Sequence, residues 1–465
     1  MTTTDSRPTP TPTPVPDSRS AQSGADQDGK TAKIASPEGV AQVLAEALKS
    51  VAGGELPVRL TAWDGSVAGP ADAPSVTLRS PDALRRLIWH PGELGASQAY
   101  VTGEIDVEGD LGAALTHVWE VAAQRGLSGI RPTPSVIATV VRTARQLGVL
   151  GTAPAAPASQ AQLSGRLHSA LRDRQAIHHH YDLSNEFYSL ILDPHMAYSC
   201  GYWTSDAPGY TVEDAQRDKL DLVCRKIGLE PGMRFLDVGC GWGSLSLYAA
   251  EHFGAQVTGV TIAREQKRFI DARIKERGLE DRVEIRLQDY RDVQDGDFGA
   301  VASLEMGEHV GQRNYPTYVK ALRDNVLPGG RVLIQQMSRR GRYPGGGPFI
   351  ESFIAPDMTM RPVGETVELI EAGGLEVRDV HMMREHYVRT VDAWHDTFES
   401  NWDTVVGMVG EEVARVWRLY LVGGSMAFRD GRMGVDQILA IKNDTRGHNP
   451  LPWVRPTAWS STLTA

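Results

Sequence analysis

Three glycines at alternate positions follow a short apolar run that contains one acid. Residues 235–243 read Phe-Leu-Asp-Val-Gly-Cys-Gly-Trp-Gly, which places the acid at Asp237 and the glycines at Gly239, Gly241 and Gly243. Glycine permits a sharp turn from a buried strand into a helix, and it leaves backbone N–H groups bare to face a ligand. The segment is therefore a candidate cofactor-binding loop.

The spacing of the glycines discriminates between two classes of cofactor. A dinucleotide-binding loop places its third glycine one residue later, and about 20 residues further on it has an acid for the ribose. Here the next strand, 256–261, ends Gly-Val-Thr without an acid. Together with Asp237 ahead of the loop, the pattern predicts S-adenosylmethionine (SAM) rather than NAD.

The elements that position this loop alternate between strand and helix patterns. Apolar runs bounded by turn residues predict five strands, and amphipathic helices separate them. Such alternation predicts a parallel sheet with helices on both faces, in which ligands bind beyond the carboxyl ends of the strands. The predicted strands are Arg234–Val238, Gln256–Thr261, Val283–Leu287, Ala300–Glu305 and Arg331–Gln336.

Composition divides the chain into five parts. Residues 1–33 are rich in Thr, Pro, Ser and Asp with few apolar residues, so a disordered tail is predicted. Residues 34–150 predict a smaller α+β domain, and the Ala- and Pro-rich residues 151–170 predict a linker. The alternating α/β domain covers residues 171–445, and residues 446–465 form a C-terminal tail.

Bulk composition restricts the partners and the compartment. The 465-residue chain has a formal net charge of −10, which argues against nucleic acid as its main partner. Only three cysteines occur, and no stretch approaches the roughly 18 consecutive apolar residues of a membrane span. We therefore expect a cytoplasmic protein. No metal is expected either, because the consecutive histidines 178–180 point in different directions on a helix and lack a further ligand set.

Six segments in order along the chain resemble the cyclopropane-fatty-acyl-phospholipid synthase family, which includes the mycolic acid methyltransferases. The resemblance covers residues 175–443, and a weaker likeness near residues 94–111 extends to the N-terminal domain of the longer members. The segments are His180-Tyr181-Asp182-Leu183-Ser184-Asn185, Tyr198-Ser199-Cys200-Gly201-Tyr202-Trp203, Leu236 to Gly243, Val260-Thr261-Ile262 with Glu265-Gln266, Leu287-Gln288-Asp289-Tyr290-Arg291-Asp292, and Glu308-His309-Val310-Gly311 with Asn314-Tyr315.

The resemblance implies both a fold and a reaction. The fold is that of SAM-dependent methyltransferases, a Rossmann-like, mostly parallel seven-stranded sheet, joined to a smaller lipid-associated N-terminal domain. The reaction is C-methylation of the double bond of an unsaturated, oleoyl-type phospholipid, with peripheral contact at the inner face of the membrane. Methyl transfer leaves a carbocation, which aromatic faces can stabilise until a base removes a proton. In the family this base is taken to be a bicarbonate held by protein groups.

Matching the family motif by motif assigns roles to residues of this chain. Glu308 takes the position of the glutamate at the anion site, Cys200 that of the cysteine beside the anion, and Tyr387 that of a tyrosine in contact with it. The cofactor-binding set implied by the resemblance is Tyr198 and Ser199 at the methionine end, Asp237, Gly239, Gly241 and Gly243 in the loop, Thr261 and Gln266 at the ribose, and Gln288, Asp289 and Tyr290 at the adenine.

The chain departs from the family pattern at the catalytic centre. Glu305 stands in place of a glycine, and Gln335 in place of the bicarbonate-binding histidine. Bicarbonate is therefore a doubtful second ligand, because neighbouring anions repel unless one replaces the other or carries a proton. We expect Glu305 to change the fate of the cation. Gln335 is either part of the catalytic site or a neutral structural hydrogen-bonding partner.

The altered site favours a 10-methylene acyl chain, the product of the family's actinobacterial tuberculostearic acid subset. There a hydride shift precedes proton loss from the new methyl group. Hydroxymycolate-type relatives, which also have a glutamate at this position, let water intercept the cation. A cyclopropane is the alternative product. A methylene product needs a separate reductase as a partner enzyme, because no NAD(P)H or flavin site is visible here.

Two other classes of protein stay open. A non-catalytic lipid-binding or scaffold protein would account for the missing histidine, but it has no need of an intact glycine loop. A methyltransferase of small molecules or proteins would share the fold, but it gains little from the additional N-terminal domain. The sequence leaves open whether the protein is a homo-oligomer.

Overall fold

The N-terminal part of the protein is a small four-stranded sheet flanked by helices. The structure is a computed structural model that describes residues 39–52, 54–126, 133–161, 184–341 and 345–459, so the predicted tail 1–33 lies outside the described residues. The sheet order is β2-β1-β3-β4, parallel between β1 and β3 and antiparallel at the other two pairings. The elements are β1 (Arg59–Thr61), β2 (Val67–Ala68), β3 (Ser75–Leu78), β4 (Ile105–Val107), α1 (Val40–Ala52), α2 (Pro81–Trp89), α3 (Glu93–Val101), α4 (Leu111–Gln124) and α5 (Pro134–Gln146).

A seven-stranded sheet of order β10-β11-β9-β8-β5-β6-β7 forms the larger part of the fold. The five strands from β9 to β7 are parallel, and β11 and β10 add antiparallel pairings at one edge. The predicted mostly parallel sheet is confirmed. The strands are β5 (Arg234–Val238), β6 (Gln256–Thr261), β7 (Val283–Leu287), β8 (Phe298–Leu304), β9 (Val326–Arg339), β10 (Glu376–Met382) and β11 (Met433–Ile441).

Helices cover both faces of this sheet. Successive strand residues point to opposite faces, so Phe235 joins the apolar layer on one face and Leu236 the layer on the other, both fully buried. Among the described residues, no helix combines the length and apolar composition needed to cross a bilayer. The helices are α6 (Asn185–Ile191), α7 (Val212–Ile227), α8 (Ser244–Phe253), α9 (Arg264–Arg277), α10 (Tyr315–Asn325), α11 (Val363–Ala372), α12 (Arg384–Ser400), α13 (Trp402–Val409) and α14 (Glu411–Arg429).

The strand order reverses beside β5, and this reversal positions the site. The chain first builds outward from β5 to β6 and β7, then returns to place β8 on the opposite side of β5. The helices that follow β5 and β8 therefore diverge, which leaves a crevice beyond the carboxyl ends of these two strands. Gly239 follows β5 and Glu305 follows β8, so the topology brings these two motifs to the same crevice.

The described part of the predicted linker, residues 151–161, lies against both parts of the protein. Arg86 Nη1 donates to the Ala155 carbonyl at 2.9 Å, and the Ser159 N–H donates to Glu412 Oε1 at 2.7 Å. These bonds attach the segment to α2 on one side and to α14 on the other.

The predicted C-terminal tail is also attached as far as Trp459. This tryptophan is buried in the same apolar layer as Phe235. Arg455 forms an ion pair with Asp379 of β10 at 2.7 Å. Residues 446–459 therefore cover part of the larger sheet's helical layer instead of extending from it.

Substitution of Gly243 measures how tightly the start of α8 packs. Its φ is +81°, and a Cβ there would lie 2.9 Å from Ile270 Cγ2, whereas at Gly278, with φ of +64°, a Cβ would meet no atom within 4 Å. Gly278→Ala should lower the free energy of unfolding by about 1 kcal/mol through backbone strain alone. Gly243→Ala should cost roughly 1–3 kcal/mol more because of the overlap. Urea unfolding measures both, and equal losses would contradict this packing.

Candidate active site

A cavity lies beyond the carboxyl ends of β5, β6 and β8. Of the residues assigned to the cofactor, all but Gly243 line it. Gly243 instead precedes the first turn of α8 and lies against Ile270. A side chain at this position would overlap Ile270, so packing requires a glycine here. The predicted residues in the lining are Tyr198, Ser199, Asp237, Gly239, Gly241, Thr261, Gln266, Gln288, Asp289 and Tyr290, and the predicted catalytic residue Glu305 lines it too.

The glycine loop forms a cradle with space for a ligand. Gly241 has φ of +55°, and a Cβ there would meet no protein atom within 4 Å, so this backbone faces the cavity. Asp237, at the base, is 2% exposed and accepts a hydrogen bond from Ser246 Oγ at 2.7 Å. Burial raises the pKa of Asp237 to about 6. The N–H groups of Gly239 and Cys240 donate to the Val260 carbonyl, so the cradle offers a ligand its open backbone at Gly241 and the buried carboxyl.

The wall formed after β6 and β7 holds its polar side chains through hydrogen bonds. Thr261 Oγ1 donates to Gln266 Oε1 at 3.0 Å, and Gln288 Nε2 donates to the Asp292 carbonyl at 2.9 Å. Asp289 Oδ2 forms an ion pair with Arg291 Nη2 at 2.6 Å. This wall is therefore ordered before a ligand arrives.

An aromatic cluster surrounds Tyr198, which lines the cavity. Its ring centroid lies 5.4 Å from that of Trp394, 5.7 Å from Tyr188 and 6.3 Å from Trp417. The Tyr198 hydroxyl donates to the Tyr420 hydroxyl at 3.0 Å. Aromatic faces carry negative partial charge, so the cluster can stabilise a positive charge that develops near Tyr198.

Two carboxyl groups, Glu305 and Glu308, meet where β8 ends. Glu305 Oε1 accepts a hydrogen bond from Gln335 Nε2 at 2.9 Å, and Glu308 Oε1 accepts one from the Met337 N–H at 2.5 Å. The Oε2 atoms of both residues are buried, and no described residue outside the pair donates to them. The carboxyl groups are close enough to share a hydrogen bond once one of them is protonated.

The pair is arranged to hold one proton. Burial raises the pKa of the Glu308 carboxyl well above its ordinary value, and the adjacent charge of Glu305 raises it further. Burial also raises the pKa of Glu305, against hydrogen bonds from Glu308 and Gln335 that favour its charged form. Glu308 is therefore the neutral acid that donates, and Glu305 is the carboxylate that accepts.

Glu305 occupies an unusual backbone conformation. Its φ is +52°, in the left-handed region that favours glycine. The strain costs about 1 kcal/mol or more. A strained backbone combined with a buried carboxylate identifies this position as one that the fold alone does not require.

Gln335 and Cys200 hold Glu305 from two sides. Gln335 is fully buried on β9, and its Oε1 accepts a hydrogen bond from Gln437 Nε2 at 2.9 Å, which orients its amide N–H toward Glu305. The Cys200 backbone N–H lies 3.5 Å from Glu305 Oε1. Burial and the charge of Glu305 raise the pKa of the Cys200 thiol well above its ordinary value, so the thiol is neutral. Its contribution to the site is therefore the backbone N–H.

Tyr387 does not reach the lining of the cavity. Its ring stacks on Phe428 with centroids 4.5 Å apart, and burial raises the pKa of its hydroxyl well above the ordinary value. It lies in the aromatic cluster next to Glu305 rather than in the cofactor cradle. Histidines 178–180 and the start of the first motif lie outside the described residues.

Lys219 is a residue of this site that the sequence interpretation missed. It is fully buried on α7, and its Nζ donates to Ser199 Oγ at 2.8 Å. A signal was present, because Lys219 lies within one helical turn of the apolar residues Leu220 and Val223 on an inward-facing surface. A lysine at such a position indicates a buried partner of opposite charge.

The fold and this cavity define an S-adenosylmethionine-dependent methyltransferase, with SAM as the cofactor. The chain belongs to the mycolic acid cyclopropane synthetase family, whose sequence profile matches residues 168–438. A probable fatty acid methyltransferase of Mycobacterium tuberculosis is 37% identical over 414 residues, 87% of this chain and 96% of the relative. A tuberculostearic acid methyltransferase of the same organism is 34% identical over 400 residues, 83% of this chain and 88% of the relative.

A solved structure agrees with this assignment. A crystal structure of a mycolic acid cyclopropane synthase, complexed with SAH and CTAB, is 28% identical and aligns with a TM-score of 0.54. The alignment covers 57% of this chain and 97% of the other. SAH is the demethylated form of SAM, so the predicted family and cofactor are both confirmed.

The shared proton gives a prediction for stability. The folded state holds the Glu308 proton more tightly than the unfolded state, so this group stabilises the fold less as pH rises above its ordinary pKa of 4.5. Glu308→Gln keeps a neutral acceptor for the Met337 N–H and removes that dependence. The free energy of unfolding of Glu308→Gln, relative to that of the wild type, should therefore increase with pH. Urea unfolding at several pH values measures this difference.

A second variant is the control for this experiment. Glu308→Ala leaves the buried Met337 N–H without its acceptor, so it should lose about 1–3 kcal/mol even at low pH. A constant difference between Glu308→Gln and the wild type at every pH would contradict the shared proton.

Proposed function

We propose that the protein methylates the double bond of an unsaturated, oleoyl-type acyl chain of a phospholipid and releases a 10-methylene acyl chain. The observation that supports this product is the buried carboxyl group of Glu305, paired with Glu308, at a position where the family has a glycine. A carboxylate so placed can act as the base that the reaction needs.

The proposed reaction has three steps on the acyl chain. When bound, SAM supplies an electrophilic methyl group. The π electrons of the alkene form the new C–C bond, the S–C electron pair stays on sulfur, and the neighbouring olefinic carbon becomes cationic. A hydride then moves with its electron pair from the methylated carbon to that neighbour. Finally a proton leaves the new methyl group, and its C–H pair becomes the exocyclic double bond.

The residues divide this work between stabilising charge and accepting the proton. Tyr198, the member of the aromatic cluster that lines the cavity, can stabilise the cation that forms there. Glu305 lines the cavity and is the ionised member of the pair, so it can take the proton. Glu308 orients Glu305 by donating to it. Bicarbonate is not needed in this scheme, because Glu305 supplies the negative charge.

The nature of Glu305 supports a functional role over a structural one. A glycine would fit its φ of +52° without strain, and an apolar strand end would avoid burying a carboxylate. The protein nevertheless has both the backbone strain and the buried carboxylate at this one residue. The same reasoning argues against a lipid-binding scaffold without catalysis, which would need neither Glu305 nor a cofactor cradle.

A cyclopropane is the second candidate product, because relatives of this family include a mycolic acid cyclopropane synthase. Mass spectrometry of the fatty acids of an oleate-containing host that expresses the protein separates the two candidates. A methylene branch is the expected product. A cyclopropane as the main product would refute the methylene proposal, and unchanged lipids would refute acyl methylation altogether.

Replacing Glu305 tests its role directly. Glu305→Gly relieves the positive φ and opens the space for bicarbonate, the family's base, which can then take the proton, so the variant should fold at least as stably as the wild type and shift its product toward a cyclopropane. Glu305→Gln is the matched control, since it keeps the volume and the strain but cannot accept a proton, and it should lose at least 100-fold in the rate of methylene formation. Chromatographic product ratios measure both effects, and an unchanged product from Glu305→Gly would contradict its steering role.

A phospholipid substrate implies contact with a membrane, and α5 has the surface for it. Ile137, Val140 and Val141 are 44–51% exposed, and Arg142 and Arg145 follow in the same helix, which has no acidic residue. Apolar side chains with adjacent arginines are typical of helices that lie in the headgroup region of anionic lipid. We therefore propose α5 as a peripheral contact on the cytoplasmic face, with a separate reductase acting on the released methylene product.

Vesicle sedimentation tests this contact. Ile137→Asp combined with Val141→Asp should reduce binding to vesicles of dioleoyl phosphatidylglycerol about tenfold or more, because two apolar side chains no longer enter the lipid. Met382→Asp is the control, since Met382 is 63% exposed on β10. Equal binding of the double variant and the control would contradict a role for α5.

A further inference from the structure

Helix α7 contains two fully buried lysines with different partners. Lys226 lies 3.2 Å from Asp379 Oδ2, in an ion pair away from the cavity. Lys219 has a hydroxyl as its hydrogen-bond partner, Ser199 Oγ, at 2.8 Å. An ammonium group is unfavourable in a protein interior unless negative charge compensates it. Lys219 therefore requires carboxylates nearby that are not its direct hydrogen-bond partners.

Several titratable groups face Lys219 from the elements packed around it. Burial lowers the pKa of Lys219 to about 8, and the neighbouring carboxylates oppose this, so Lys219 stays charged at neutral pH. The facing groups are Asp193, His195 and Cys200 in the segment after α6, Cys224 on α7 itself, Asp237 at the end of β5, and Glu305 after β8 with Glu308 behind it.

Of the three facing carboxylates, Glu305 is the one that the backbone of the Ser199–Cys200 segment contacts. Asp193 already accepts from the backbone N–H groups of residues 195 and 197, at 2.9 and 3.1 Å. Asp237 accepts from Ser246. Glu305 accepts from Gln335 Nε2 at 2.9 Å and from the Cys200 backbone N–H at 3.5 Å, in addition to the proton of Glu308. The positive charge of Lys219 opposes the burial that raises the pKa of Glu305, and Lys219 also holds the residue that precedes the Cys200 N–H.

Helix α7 also fixes the backbone next to Glu305. Gln216, one turn before Lys219, donates from Nε2 to the carbonyls of Ala197 and Ser199 at 3.1 and 2.8 Å. Lys219 adds the bond to the Ser199 side chain. The next residue, Cys200, directs its N–H at Glu305 Oε1. One face of α7 thus holds residues 197–200, which contact both the cofactor cavity and Glu305.

We propose that Lys219 is a positioning residue that holds the Ser199–Cys200 segment in place and supplies the buried positive charge against which Glu305 stays ionised. The inference rests on the proposed role of Glu305 as the base. Removal of the charge should make Glu305 harder to ionise, so the base is lost at neutral pH and regained at higher pH.

The test compares Lys219→Met with the wild type across pH. At neutral pH kcat for methyl transfer should fall about tenfold or more, and it should recover as pH rises, because the ionised fraction of Glu305 increases. Lys219→Arg keeps the charge and should keep the wild-type pH profile. Lys226→Met is the matched control from the same helix, and it should lower the melting temperature without moving the profile.

A readout without turnover separates this inference from the proposed function. The carboxyl stretch of protonated Glu305, assigned with Glu305→Gln, can be titrated by infrared spectroscopy. It should persist to higher pH in Lys219→Met, and an unchanged titration would overturn the inference. If that variant does not fold, Lys219→Gln retains a donor for Ser199 and gives the same test. Unchanged products from Glu305→Gln would instead refute the proposed function, whatever the infrared titration shows.

Discussion

A single proton held between two buried carboxyl groups is the constraint on which the site depends. Glu308 accepts the Met337 N–H and Glu305 accepts the Gln335 amide N–H, and the second oxygen of each carboxyl group is buried with no donor outside the pair among the described residues. Two charges so close in a low-dielectric interior would repel strongly, so one group stays protonated. The pair thereby combines a neutral acid with a carboxylate that can accept a proton.

The rest of the fold is arranged around that pair. Strand β9 supplies Gln335 and the Met337 N–H, and β11 supplies Gln437 to orient Gln335, which links the antiparallel edge of the sheet to the chemistry. The topological reversal beside β5 brings the cofactor cradle to the same crevice. A reaction between a cofactor and an apolar chain needs this proximity together with the exclusion of water.

Local patterns in the sequence predicted the parallel strands because each is an apolar run between turn residues, as in Gln256–Thr261 and Val283–Leu287, whose bounds match. Strand β9 extends beyond the predicted 331–336 at both ends, because it pairs with β8 from Val326 and with β11 as far as Arg339. Such tertiary pairing leaves no local signal. The positive φ of Glu305, the burial of Lys219 and the packing role of Gly243 likewise depend on neighbours distant in the chain.

The fate of the olefinic hydrogens tests the central claim most directly. An oleoyl phospholipid with deuterium on both olefinic carbons can be converted with the purified enzyme and SAM, and the product located by NMR. If the Glu305–Glu308 pair directs proton loss after a hydride shift, both deuterium atoms will lie on the carbon next to the new methylene branch. One deuterium on each of the two former olefinic carbons would contradict the account, whether the product is a cyclopropane or an alcohol.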